Sequence, residues 1–185
     1  GYAEQFDLAW LEPIGFNDTY ALAMRRADAE RLGIKSLSDL SAHAGELVLG
    51  STQEFLVRPD ALPGLAETYG LAFEDTRGMD PGLVYQAIAN EDVDVISVFT
   101  TDGRIKANDL AVLADDKSFF PPYYLTAVVR NDTLAAHPEI ADALNALSGT
   151  IDEATMISIN SSIDQDKRPA EEVATEFLKG AGLLP

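Results

Sequence analysis

Short apolar runs alternate with amphipathic stretches several times along the first two-thirds of the chain, the pattern of an α/β protein. The runs predict strands at Leu8–Leu11, Tyr20–Arg25, Leu47–Gly50, Val93–Phe99, Leu110–Ala114 and Leu125–Arg130. Val93–Phe99 is the clearest, β-branched and bounded by acidic residues on one side and Thr-Asp-Gly on the other. Helices fit between them. Asp28–Leu32 ends at Gly33, a C-cap residue, and Ser36-Leu37-Ser38-Asp39 has the polar-cap spacing that opens a short helix. Asp60–Tyr69 stops at Gly70. Asp80-Pro81 opens a helix over Gly82–Asn90, with proline in the first turn, where its missing N–H costs nothing.

After Arg130 the pattern turns to helix alone. Pro138–Leu147 aligns Ile140, Leu144 and Leu147; Ile151–Ile163 aligns Ile159 and Ile163; Pro169–Leu178 aligns Val173 and Phe177. Three one-sided helices need a sheet or another layer to cover them, and too few strands remain after Arg130 to make one. The chain therefore divides near Phe119–Tyr124, with a C-terminal part short of packing partners. Self-association of this chain is one expected consequence. Phe119-Phe120-Pro121-Pro122-Tyr123-Tyr124 sits at the division, where two prolines impose an extended path between four aromatics. The segment reads equally as a rigid core-facing turn or as a hinge presenting an aromatic to a cleft.

Composition narrows the function. At 185 residues, 46% hydrophobic and with a mean hydropathy of -0.02, the chain suits a globular protein with a real core. Thirteen basic residues against 31 acidic ones leave a net charge of -18, which repels phosphate backbones and argues against nucleic-acid binding and against a basic patch on anionic lipid. A solvated acidic face accounts for most of that charge. Without cysteine, disulfides, thiolate nucleophiles and cysteine metal sites are excluded. No apolar run approaches the roughly 20 residues of a membrane span. The chain opens at Gly1 with no signal peptide in view and reads as a processed or truncated product.

Enzymatic motifs are missing. His43 and His137 are the only histidines, and neither stands in a recognisable catalytic pattern. There is no nucleophile elbow and no phosphate- or dinucleotide-binding glycine loop. Asp115-Asp116 lacks the spacing of a calcium loop and reads as a solvated turn. The expectation is a non-enzyme with no cofactor and no metal. The remaining candidates are aromatic: Tyr20, Phe99 and Tyr123 each lie at or beside a predicted strand end or turn. A quaternary ammonium has no N–H to donate, so ring faces recognise it through cation–π attraction of about 0.5 to 2 kcal/mol per ring. On composition alone the same rings read as core residues.

Gly15-Phe16-Asn17-Asp18-Thr19-Tyr20-Ala21-Leu22 resembles the motif entering the second lobe of osmoprotectant-binding proteins, the glycine betaine/choline group of ABC importers. Gln53-Glu54-Phe55 leading to Arg58, Asp80-Pro81-Gly82-Leu83-Val84-Tyr85, Thr100-Thr101-Asp102-Gly103, and Asp115-Asp116-Lys117 running into Phe120-Pro121-Pro122-Tyr123 follow in the same order. The resemblance covers the chain from Trp10 onward. It implies an α/β fold of the type II periplasmic-binding-protein kind, with one complete lobe at 13–121. Residues 1–12 and 122–185 would be hinge strands and the C-terminal helical part of an incomplete first lobe. It also implies an extracytoplasmic solute-binding component, periplasmic or extracellular, with membrane anchoring of the full-length protein left open. Such a component would carry glycine betaine, choline or a related quaternary amine to a membrane permease. The alternative is a ligand sensor, or the soluble part of a permease fusion, on the same fold. By motif, Tyr20 and Tyr123 would be walls of an aromatic box, and Phe99 would stand where the family often has tyrosine. Arg58 would bind a betaine carboxylate, and Asp18 would offset the ammonium charge or orient the pocket. Tyr85 reads as packing rather than ligand contact.

Overall fold

The computed structural model describes residues 1–185, the Tyr2 side chain excepted. In chain order the elements are α1 (Tyr2–Phe6), β1 (Leu8–Asn17), β2 (Tyr20–Arg25), α2 (Arg26–Leu32), α3 (Leu37–Ser41), β3 (Val48–Ser51), α4 (Gln53–Val57), α5 (Leu62–Tyr69), β4 (Asp75–Gly78), α6 (Pro81–Ala89), β5 (Val95–Phe99), α7 (Arg104–Ala107), β6 (Leu110–Val112), β7 (Tyr124–Arg130), α8 (Asn131–Ala136), α9 (Glu139–Asn145), α10 (Glu153–Asp164) and α11 (Ala170–Gly180). A short 3₁₀ turn at Ala44–Glu46 leads into β3. The chain forms two compact units, Thr19–Pro121 and the combination of Gly1–Asp18 with Pro122–Pro185.

The Thr19–Pro121 unit is built on a five-stranded sheet in the order β4-β3-β5-β2-β6. β2 runs antiparallel to β5 and β6, whereas β3 lies parallel to β4 and β5. Side chains alternate across a strand, and β2 uses both faces. Leu22 and Met24 enter one buried cluster with Leu37, Leu40, Leu49, Phe55 and Leu65. Ala21 and Ala23 enter another with Val84, Ile88, Ile96 and Val98. Helices thus cover both sides of the sheet, which is why β2 reads as a continuous apolar run. Arg25, at the end of β2, donates to Asp28 and Asp94 and to the carbonyls of Ile88 and Val93, tying both layers together.

In the other unit β1 pairs antiparallel with β7 through an irregular register that matches Leu8 with Arg130, Pro13 with Thr126 and Asn17 with Tyr124. Residues 13–17, grouped from the sequence with the following lobe, here continue β1 past its proline, and Asp18 stays in the same unit. An edge strand with broken register tolerates the missing N–H. The helical segment grips the strand: Glu12 N–H donates to Asn145 Oδ1 at 3.0 Å, Asn17 N–H to Glu153 Oε1 at 3.1 Å, and Gly149 N–H to the Ile14 carbonyl at 2.6 Å. Gly15 has φ +139°, and a Cβ there would sit 2.7 Å from the Ile151 carbonyl oxygen. Among the described residues of this unit, Phe16 and Val173 alone are buried, while Trp10, Tyr124, Leu125 and Val128 of the two-stranded ribbon are exposed. Helices α8, α9 and α10 bury no residue fully. Their apolar stripes were visible in the sequence.

Candidate ligand-binding site

Tyr20 opens β2 and Phe99 closes β5, and antiparallel register makes them direct neighbours. Their rings stack with centroids 4.6 Å apart and planes inclined by 29°, an offset geometry favourable for aromatic pairs. Tyr20 is also 5.2 Å from the Phe55 ring and 6.1 Å from the Phe120 ring. Phe55 is wholly buried, whereas Phe99 is 46% exposed. The result is a slab of rings anchored in the core at one end and open at the other. Because Tyr20 and Phe99 touch each other, they do not face each other across a ligand-sized gap. They offer a cation an outer face, within the ~6 Å reach of cation–π attraction.

Phe55 is set by the start of α4. Thr52 caps this helix, its Oγ1 accepting from Phe55 N–H at 3.2 Å. Phe120 is set by Asp115, whose carboxylate accepts from the Phe119 and Phe120 N–H groups at 3.0 and 2.8 Å and from the Tyr69 hydroxyl. That hydroxyl in turn accepts from Lys117 N–H at 2.6 Å. Burial, then the bond to Asp115, pushes the Tyr69 phenol up to about 12. The Asp115-Asp116 pair is indeed a turn, and the turn is what holds the Phe119-Phe120 pair.

Beside the rings lies a cavity of ≈ 800 Å³, formed within the Thr19–Pro121 unit at the C-terminal ends of β3, β4 and β5. Parallel α/β sheets place ligands at this end. Tyr20, Gln53, Ser97, Phe99, Tyr85 and Arg104 contribute to its wall, together with Glu54, Asp80 and Asp102. Three carboxylates against one guanidinium give the lining an excess of negative charge. Ser97 Oγ bonds Ser51 Oγ at 2.5 Å. Asp102 is gripped by Arg104, whose Nε and Nη2 donate to it at 2.6 to 3.2 Å. Burial opposes ionisation of Asp102, yet the bonds from Arg104 hold its pKa below the usual carboxylate value. The Arg104 guanidinium carbon lies 4.1 Å over the Tyr85 ring centre. Tyr85 is 7% exposed, and its buried hydroxyl interacts with the Asp102 carboxylate. Burial, followed by the nearby Asp102 charge, pushes that phenol up, so it stays a neutral donor at physiological pH.

Of the residues singled out from the sequence, Tyr20 and Phe99 are brought together. Arg58 is not part of the cavity wall. It follows α4, donates to Glu54 at 2.9 Å and to Asp60 at 2.6 and 2.9 Å, and these carboxylates raise its pKa. Tyr123 and Asp18 belong to the β1–β7 unit, where Asp18 N–H donates to the Tyr123 carbonyl at 3.0 Å and Tyr123 N–H to Asn17 Oδ1 at 2.6 Å. Phe55, Phe120 and the Tyr85–Asp102–Arg104 group were not singled out as site residues. The Thr52-x-x-Phe55 cap spacing and the Asp102-x-Arg104 pair were the available signals.

The α/β fold with its mixed sheet is of the type II periplasmic-binding-protein class. The chain belongs to the family described as the substrate-binding domain of ABC-type glycine betaine transport systems, whose model matches residues 1–180. That is a transport family, extracytoplasmic and not enzymatic. The chain is 44% identical over 188 residues to a glycine-betaine-binding protein of Pseudomonas aeruginosa, covering 96% of this chain and 60% of that protein. It is 36% identical over 182 residues to an ergothioneine transport permease/ergothioneine binding protein of Helicobacter pylori, covering 98% of this chain and 33% of that one. A crystal structure of a glycine betaine/carnitine/choline ABC transporter superposes with a TM-score of 0.92 at 38% identity, covering 98% of this chain and 67% of the other. The chain thus spans about three-fifths of the Pseudomonas protein, a third of the Helicobacter protein and two-thirds of the crystallised chain. No helix among the described residues is long and apolar enough to cross a membrane.

Proposed function

We propose that this chain is the larger part of a binding protein that captures glycine betaine, choline or a related quaternary amine and hands it unchanged to an ABC permease. The observation that carries this reading is the stacked Tyr20–Phe99 pair at the mouth of an acidic-lined cavity, in a chain similar to a glycine-betaine-binding protein. A methylated ammonium cannot be held by hydrogen bonds, and the rings with their surrounding carboxylates supply the attraction it needs. On this reading Thr19–Pro121 is the complete second lobe, and the β1–β7 unit is the C-terminal part of the first. Tyr123 and Asp18 stay candidate ligand residues on the β1–β7 unit. Arg58 receives a carboxylate by exchanging one of its two acidic partners for the ligand, a swap that guanidinium geometry permits.

Titration of the full-length protein carrying Tyr20→Ala or Arg58→Ala tests the assignment. Loss of one ring at about 0.5 to 2 kcal/mol lowers affinity roughly two- to thirtyfold, whereas unchanged betaine affinity in both variants refutes it. The Helicobacter relative favours a second reading, because its name joins permease and binding protein in one chain of which this sequence matches 33%. Reading the coding sequence on either side of this segment for membrane spans decides between a free binding protein and a permease fusion.

A further inference from the structure

The two rings of the slab are held by different means. Tyr20 is pinned through its side chain, against Phe55 and Phe120 and on the buried cluster around Leu22 and Met24. Phe99 belongs to neither buried cluster; it leans on Tyr20 with its other side half-exposed. A ring that core packing does not hold takes its direction from its backbone and from the hydrogen bonds that fix that backbone. Toward β2, Thr100 N–H donates to the Thr19 carbonyl at 3.0 Å and Thr19 N–H to Thr100 Oγ1 at 3.2 Å. On the other side the chain turns back at once, Asp102 N–H donating to the Phe99 carbonyl at 3.0 Å. The Asp102 carboxylate accepts from Arg104 N–H at 2.9 Å and from the Arg104 guanidinium at 2.6 to 3.2 Å, and it meets the Tyr85 hydroxyl of α6. We infer that Asp102 is a positioning residue, which ties the Phe99–Asp102 turn to Tyr85 and so sets the angle at which the Phe99 ring meets a quaternary ammonium. The inference rests on the quaternary-amine reading and deepens it.

Three features favour positioning over direct attraction of the ligand. First, the Asp102 side chain is 12% exposed against 35% for Arg104, so the carboxylate is turned into the wall rather than toward the cavity. Its charge is matched by the bidentate guanidinium, which leaves little of it for a ligand cation. Second, the far end of the tether is rigid. Tyr85 is buried on α6 between Val84 and Ile88 and lies under the Arg104 guanidinium carbon at 4.1 Å. Planar guanidinium stacks on aromatic rings, and a buried polar network with its groups satisfied stiffens what it joins. Third, cation–π attraction requires the cation over the ring face, so a tilt of Phe99 costs affinity without removing any group that touches the ligand.

A double-substitution cycle of Asp102→Asn and Phe99→Ala in the full-length protein tests the inference, with affinities for glycine betaine and choline measured by calorimetric titration. Asp102→Asn keeps the side-chain size and should weaken binding about three- to tenfold, and by no more than Phe99→Ala does. With Phe99 already replaced by alanine, the same change should alter affinity by less than about 1.5-fold, because the ring it positions is gone. Tyr85→Phe removes the α6 end of the tether alone and repeats the cycle should Asp102→Asn fail to fold. It should weaken binding about two- to fourfold in the presence of the Phe99 ring and leave it unchanged in its absence. An Asp102→Asn loss that persists in full without the ring, as direct attraction of the ligand or a general loosening of the lobe would give, overturns the positioning role. Undiminished binding by Asp102→Asn also overturns it, and either result leaves the quaternary-amine reading standing. Binding of neither ligand by the wild-type protein overturns both.

Discussion

Removing the Asp115 carboxylate should cost more than any single hydrogen bond at this site, because one side chain terminates three donors. Asp115→Ala leaves the Phe119 and Phe120 amides and the Tyr69 hydroxyl without their acceptor. Phe120 and Tyr69 are 8% and 5% exposed, so water replaces the carboxylate poorly. Hydrogen bonds to a charged acceptor are worth about 1.5–3 kcal/mol each, but three on one carboxylate do not add fully. The expected loss is about 3 kcal/mol. At about 2–4 °C per kcal/mol for a chain of this size, Tm falls by roughly 6–12 °C. Tyr69→Phe removes one of the three bonds and should cost about 1 kcal/mol. Thermal unfolding followed by circular dichroism measures both variants. Amide exchange at Phe119 and Phe120 should accelerate in Asp115→Ala well beyond its rate in Tyr69→Phe. If Asp115→Ala were no more destabilising than Tyr69→Phe, the turn would not be organised by this carboxylate and the reasoning would be wrong.

Gly64→Ala should destabilise by about 1–3 kcal/mol, because the new Cβ would stand 2.5 Å from the Pro59 carbonyl oxygen and 2.9 Å from the Phe119 ring; a urea midpoint equal to wild type would refute the close packing. Asp102 and Asp28 have folded-state pKa values below the ordinary carboxylate value, Asp102 through Arg104 against burial and Asp28 mainly through Arg31 and Arg25. Depressed folded values stabilise the protein fully above the unfolded pKa of about 4, and that contribution disappears as pH falls through the folded values. Denaturant titrations between neutral pH and about pH 3 should show this loss, and Asp102→Asn should flatten it; an equally steep fall in the variant contradicts the assignment.

The sheet was most legible where burial imposes a pattern. β2 and β5 could be read from Tyr20–Arg25 and from the β-branched run ending at Phe99, because both faces of those strands are covered. β4 was missed: Asp75-Thr76-Arg77-Gly78 is an exposed edge strand without apolar periodicity, held only by pairing with β3. α4 escaped notice because five residues carry no helical repeat, although its Thr52 cap is explicit. β1 was cut short at Leu11 because Pro13 and Gly15 read as breakers, while an irregular edge pairing accommodates both. At the site, the motif order singled out Tyr20 and Phe99, but only the β2–β5 register reveals that residues 79 positions apart share one stack. Nor does the spacing of Arg58 from Glu54 and Asp60 declare that its charge is already matched. Tyr85 looked like a packing residue on its helix. The ring does pack, beneath the Arg104 guanidinium and beside Asp102, a setting its helical spacing does not announce.

Titrating glycine betaine into the full-length protein by calorimetry, with choline for comparison, bears most directly on whether the Tyr20–Phe99 slab is a quaternary-ammonium site. Saturable binding of one or both, lost in part when Tyr20 is replaced by alanine, is the expected result. Absence of binding to either ligand, or binding indifferent to Tyr20, would contradict it.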